Sequence, residues 1–296
     1  MLSKLLPLIL LTAVAPALWG TTYFTATALL LPGHPMLNAT LRALPAGLVL
    51  LAWARRLPHG SWWWKSLVLG TMNITIFFAC LFIAAERLPG GVAAVLGGVQ
   101  PLLVAVIAWH LLSDRINVLI VGAGLVGALG VGLVVLRANA ALDPVGIAAA
   151  LLGALCMASG TVLAKKWGTD LPPVATTSWQ LLVGGLSLTL LTAFVEPLPT
   201  TPPTATNLAG YAYLALIGTA FAYLLWFRGV RSLPVRIPAF LGLLSPIVAI
   251  TLGTVAAGEE LSCLQLAGIA LILGSVLAII TSSMNRQSPA ARVPGS

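Results

Sequence analysis

Charge is what this sequence lacks. Only 7% of its 296 residues are Asp, Glu, Lys or Arg, while 59% are hydrophobic. A soluble domain is about 25% charged. A water-soluble fold of this length has nowhere to hide so much apolar surface, so the chain belongs in lipid. Cysteine is scarce too. Cys80, Cys156 and Cys263 lie in or beside apolar runs, with neither metal-ligand spacing nor a disulfide framework, and read as packing thiols. No G-x-x-x-x-G-K-[ST] stretch occurs, which excludes a P-loop. No His, Cys and carboxylate cluster points to a metal, and no cofactor is expected. Ser159 belongs near the middle of one apolar run and His110 at the end of another, so neither has a catalytic partner. No catalytic residue is expected, and the chain is not read as an enzyme. Carboxylates are also missing from the middle of every apolar run. Glu86, Asp114, Asp143, Asp170, Glu196, Glu259 and Glu260 all fall at run ends or in loops. Proton-driven pumps usually bury such a group. Facilitated exchange fits this absence; coupling through the end carboxylates Asp114 and Glu259 stays open beside it.

What remains is apolar sequence cut by turns. Ten runs approach the roughly 20 residues that span a bilayer. They are Leu5–Leu31, Met36–Ala54, Ser66–Ala85, Gly91–Leu112, Ile116–Leu136, Val145–Ala164, Val174–Val195, Leu208–Phe227, Ile237–Ala257 and Leu264–Thr281. The first resembles a signal peptide, with Lys4 and Ala13-Val14-Ala15, but it is too long for a cleaved segment and reads as a spanning helix. Pro32-Gly33-His34-Pro35, Pro58-His59-Gly60, Pro89-Gly90-Gly91, Asp143-Pro144 and Pro172-Pro173 supply the turns. Loops are short, so neighbours run antiparallel. The polar tail over 285–296 is expected to be flexible.

The net charge of +8 comes from basic residues placed singly or in pairs, with no basic face to track phosphates, so nucleic acid is not an expected partner. The positive-inside rule explains them instead. With both termini cytoplasmic, the inside segments hold twelve Lys and Arg, Lys4 through Arg292, against Arg87 and Arg137 outside. Trp62-Trp63-Trp64 beside Lys65 fits an interface anchor.

The chain also repeats itself. At a shift of 145, Leu88-Pro89 falls on Leu233-Pro234, Gly97 on Gly242, Pro101 on Pro246 and Asp114 on Glu259. At 140, Gly20-Thr21 falls on Gly160-Thr161; at 138, Arg42 falls on Gln180. Each half, 1–140 and 141–284, holds five runs, an odd number, so the second half enters the membrane from the opposite side. The predicted fold is an all-α integral membrane protein of ten helices in two inverted repeats around a central cavity, which is a transporter pattern.

Candidate site residues follow from cost and pairing. Arg42 is the one full charge well inside a run, where it costs about 3 kcal/mol or more unless it faces the interior. It reads either as a counter-ion for a carboxylate or as a snorkelling surface arginine. Pro101 and Pro246 each remove a helical hydrogen bond, to the carbonyls of Gly97 and Gly242. These four read as matched hinges with open carbonyls, or as plain kinks. Gln100 and Ser245, just before the prolines, are cavity candidates. Trp19 and Tyr23 share a helix face, and the repeat sets Phe78 opposite Tyr223. With Trp179 and the amides Asn73 and Gln180, they would suit an amphipathic solute with an aromatic or apolar part, although singly each aromatic also reads as packing. Glycine-rich runs five and ten read as close-packing faces, scaffold or dimer contact.

The five-plus-five repeat, Arg42 with Gln180, Pro89…Pro101…Asp114 and Pro234…Pro246…Glu259 resemble the EamA family of the drug/metabolite transporter superfamily. The second copy, closed by Gly258-Glu259, matches best; in the first, Asp114 stands where the family usually has glutamate. Within the family the chain is most similar to the YddG-type aromatic amino-acid exporters. The resemblance implies a basket of helices in a bacterial inner membrane. It would act as a monomer or weak dimer and move amino acids outward by alternating access. Two alternatives lie in the same superfamily. A drug or organic-cation carrier of the small multidrug type would want a glutamate in the first run, and a phosphorylated-metabolite exchanger would want clustered basic residues.

Overall fold

Helices begin and end where the turn chemistry puts them. The computed structural model describes residues 2–88, 96–135, 143–168, 170–257 and 261–285, and among these every regular element is helical. α1 is Leu2–Leu29 and α2 is Pro35–Ala54. α3 is continuous through Trp62–Gly70, a π-helical stretch Thr71–Ile76, and Phe77–Arg87. α4 is Gln100–Leu112, α5 Val118–Val135, α6 Pro144–Lys166 and α7 Pro173–Val195. α8, Ala205–Ser232, contains a second π-helical stretch, Leu216–Phe221. α9 is split into Arg236–Leu241 and Leu244–Ala257, and α10 is Cys263–Asn285.

Pro35, Pro144 and Pro173 open their helices, where a missing N–H costs nothing. The Asp143 carboxylate accepts from the Gly146 amide at 2.8 Å and caps α6. Thr204 and Asn207 cap α8 reciprocally. Gly33 (φ +74°) turns the chain between α1 and α2 in the left-handed region that glycine tolerates. Among the described residues, seven helices are long and apolar enough to cross a membrane, and Gln100–Leu112, Val118–Val134 and Arg236–Leu252 are shorter apolar helices.

Trp62, Trp63 and Trp64 form the first turn of α3. One expectation changes. Pro101 and Pro246 do not kink continuous helices. The chain breaks at Gly98-Val99 and at Gly242-Leu243, and each proline sits in the first turn of the helix that follows. Breaking the helix ahead of the ring avoids its clash with the preceding turn. Pro89, Gly258 and Glu259 lie outside the described residues.

The packing has an internal twofold character. The π-helical stretches are offset by 145 residues, as Thr71 and Leu216 show. α2 packs on α7 and α5 on α10; α3 and α4 pack on α6 as α8 and α9 pack on α1. At the α2–α7 crossing, a Cβ on Gly47 would stand 2.8 Å from the Leu182 amide nitrogen. The related Gly185 would place one 2.7 Å from the Leu44 Cα. At the α5–α10 crossing, Gly130 and Gly268 each face the other's carbonyl, at 2.8 and 2.6 Å from a built Cβ. Small residues let these backbones touch. Gly130 and Gly268 are therefore turned on each other within the chain, whereas Gly124 faces Leu102 of α4 and a Cβ on Gly122 or Gly274 would meet nothing within 4 Å.

Candidate functional site

A cavity of about 160 Å³ lies between α1, α2, α3, α4, α6, α8 and α9. One water needs about 10–15 Å³ of such space, so the cavity holds on the order of ten water-sized groups, enough for one ring with a short polar tail. Its walls bring together nine of the sequence candidates: Trp19, Arg42, Gly97, Gln100, Pro101, Tyr223, Gly242, Ser245 and Pro246.

Arg42 is 2% exposed, so its side chain is turned into the bundle and does not snorkel. Its Nε donates to Thr219 Oγ1 at 2.9 Å and its Nη2 to the Gly218 carbonyl at 3.3 Å. Both partners lie in the π-helical stretch of α8, a geometry often found at functional sites. The guanidinium also stands 4.6 Å over the Phe78 ring. Phe78 in turn meets Tyr223 edge-on at 6.0 Å, so it backs the cavity wall from behind. Trp19 packs 5.0 Å from both Tyr223 and Trp226, which makes one aromatic wall from α1 and α8.

Three candidates sit elsewhere. Asn73 Nδ2 donates to Gln180 Oε1 at 3.0 Å, and both side chains are buried. That bond ties α7 to the π-helical stretch of α3, as Arg42 ties α2 to that of α8. The pairs are repeat-related, but only Arg42 reaches the cavity. Trp179 packs 5.9 Å from Trp62 and donates to the Arg56 carbonyl at 2.8 Å, locking one end of the bundle. The side chain of Tyr23 lies outside the described residues. The Gly242 carbonyl accepts from the Ser245 amide at 3.2 Å, in the tighter turn that the break in α9 allows, and keeps its second lone pair.

Sequence reasoning passed over Thr22, Phe82, Met157 and Trp226, all of which line the cavity. Two carried a readable signal: Thr22 lies three residues after Trp19, and Trp226 three after Tyr223, so each shares its neighbour's helix face. Trp226 and Thr22 are buried, and neither the Thr22 hydroxyl nor the indole N–H of Trp19 or Trp226 has a hydrogen-bond partner. Such a group costs about 1–3 kcal/mol when left dry.

Toward the end of the bundle that holds Asp114 and Lys165, Val104, Ala108, Ala158, Val162, Val235 and Ala239 pack together as a buried apolar plug. Beyond this plug, Arg236 pairs with Asp114 at 3.7 Å and donates to Ser283 Oγ at 3.0 Å. Lys165 donates to the Arg231 and Leu233 carbonyls at 2.6 and 2.9 Å, closing the C-terminus of α8. At the opposite end Glu196 accepts from the Met36 and Leu37 amides at 2.8 and 3.2 Å and holds the start of α2.

An apolar helical bundle around an interior cavity lined mostly by apolar side chains, with a few polar groups among them, is the architecture of an integral membrane protein. The chain belongs to the EamA-like transporter family, whose model matches residues 6–136 and again 144–281. It is 42% identical to Protein PecM of Dickeya dadantii over 90% of this chain and 89% of that protein. It is 27% identical to the uncharacterized transporter YvbV of Bacillus subtilis over 77% and 75% of the two chains. A solved crystal structure shares the fold at a TM-score of 0.80 and 20% identity, covering 95% of this chain and 99% of that one.

Proposed function

We propose that this transporter exports small solutes combining an aromatic or apolar body with a carboxylate, aromatic and other apolar amino acids among them, across a bacterial inner membrane. All ten helices cross the bilayer in this reading. Halves 1–140 and 141–284 are inverted repeats, both termini are cytoplasmic, and the residues after 284 form a cytoplasmic tail. The double match of the family model and the repeat-related packing pairs support the halves. The skew of Lys and Arg supports the orientation. The plugged end, with Arg236 and Asp114, is then cytoplasmic, and transport alternates by opening it while closing the other end.

The observation that carries the substrate reading is Arg42, buried in the cavity wall beside Trp19, Tyr223 and Trp226. A guanidinium in an apolar wall recognises a carboxylate, and flat rings recognise a flat body. Neither alternative finds its chemistry here. A cation carrier wants a carboxylate in the cavity, and none lines it among the described residues. A phosphate exchanger wants several basic groups, and among the described residues Arg42 is the one lining the cavity. Uptake of labelled phenylalanine into proteoliposomes tests this. Unlabelled aromatic amino acids are expected to compete, and sugar phosphates and organic cations are not; the reverse pattern would end the reading.

Pro246→Ala is expected to slow flux about tenfold or more while membrane insertion and cavity binding persist. Alanine would let α9 heal across its break and stiffen the segment that moves. Normal flux in this variant would remove the hinge role.

A further inference from the structure

Four helix ends meet at one corner of the bundle. Trp62 of α3 and Trp179 of α7 are buried there, with Ala54 of α2 and Ala164 of α6 packed on them. The Trp179 indole donates to the Arg56 carbonyl at 2.8 Å, which holds the turn after α2 against α7. None of these side chains lines the cavity.

The rim of this corner is cationic and aromatic. Arg55 and Arg56 follow α2, Lys65 lies in the first turn of α3 and Lys166 ends α6. Lys65 Nζ stands 5.3 Å from the Trp62 ring centroid and 6.0 Å from that of Trp64. Trp64 meets Trp167, the residue after Lys166, edge-on at 4.9 Å. Among the described residues, the side chains of these four cations make no hydrogen bond and no ion pair. Arg87 and Arg236 differ, being paired with Asp143 at 3.5 Å and Asp114 at 3.7 Å. Asp170, exposed four residues past Lys166, joins no ion pair among the described residues. Beside the cations the surface is apolar: Trp53, Leu57, Trp63 and Leu67 are each more than half exposed.

We propose that this corner binds an anionic phospholipid in preference to a zwitterionic one. Unneutralised cations beside exposed rings and leucines match an amphiphile with an anionic head and a hydrocarbon chain. The phosphate accepts from Arg55, Arg56 and Lys65, and the chain lies along Trp63 and Leu67. A zwitterionic head brings its own ammonium to a place that already holds four cations, so it gains less. The bound lipid bridges the end of α2 and the start of α3. The proposal concerns a surface apart from the cavity and stands whatever solute the cavity takes.

The test is quenching of tryptophan fluorescence in the full-length protein, in detergent micelles that carry brominated phosphatidylglycerol or brominated phosphatidylcholine. Half-maximal quenching is expected at an about tenfold lower mole fraction of phosphatidylglycerol. Lys65→Gln is expected to weaken phosphatidylglycerol about fivefold, and Arg55→Gln, Arg56→Gln and Lys65→Gln combined to erase the preference. Arg115→Gln removes one cation from the turn between α4 and α5 and is expected to keep it. Melts without added lipid confirm that each variant is folded; should the triple variant fail, Lys65→Gln and Arg115→Gln decide the matter between them. Equal quenching by the two lipids overturns the proposal. A preference that survives Lys65→Gln, or that falls as far in Arg115→Gln, also overturns it, because the attraction would then be diffuse and not seated at this corner.

Discussion

Arg42→Ala is expected to weaken the binding of aromatic carboxylates by about ten- to hundredfold, and that of the corresponding amides by no more than about threefold. A charge-assisted hydrogen bond contributes about 1.5–3 kcal/mol, and the amide loses only a neutral contact. The contacts that place the side chain for this role include Thr219, Gly218 and the Phe78 ring. Arg42→Lys keeps the charge but loses the fork and much of the ring stacking, so it should fall between wild type and alanine. Competition assays on the two variants, after size-exclusion confirms folded protein, measure both effects. Equal loss for acid and amide would mean that Arg42 holds α2 to α8 and does nothing more.

The second large effect is on stability. Gly268→Ala puts a Cβ 2.6 Å from the carbonyl of Gly130, a backbone atom that has no rotamer to turn away. Either α5 and α10 separate or the helix shifts, and overpacking of this kind costs about 1–3 kcal/mol. Gly274→Ala is the matched control on the same helix, because its Cβ would meet nothing within 4 Å. Thermal melts in detergent should show a clear loss for Gly268→Ala and little change for Gly274→Ala. Equal melting of the two would contradict the crossing described for α5 and α10.

Helix positions were legible because lipid imposes a blunt rule: about 20 apolar residues, then a turn. Pro35, Pro144 and Pro173 therefore mark helix starts in the sequence as clearly as in the structure. The interruptions were not legible. Nothing in Thr71–Ile76 or Leu216–Phe221 sets them apart as π-helical; what distinguishes them in the structure is a hydrogen bond from each to a neighbouring helix, to Gln180 and to Arg42. Pro246 pointed to a fault in α9, but a proline reads the same within a kink as at the start of a new helix. Arg42 was legible because a charge in an apolar run demands an explanation. Asn73 and Gln180 sent the same signal and are joined by a hydrogen bond to each other, which a sequence without contacts does not reveal. Trp226 was hidden among nine tryptophans, most of which serve packing or the interface.

The most direct test of the account places one reporter in the cavity and asks who can reach it. Ser245→Cys, in a chain whose Cys80, Cys156 and Cys263 are replaced by alanine, is exposed in oriented vesicles to a membrane-impermeant maleimide from each side. The account predicts labelling from both sides, slower from the plugged end that carries Asp114 and Arg236, and protection by an aromatic carboxylate added on either side. Labelling from neither side, or labelling that the solute leaves unchanged, would contradict the claim that this cavity is the path.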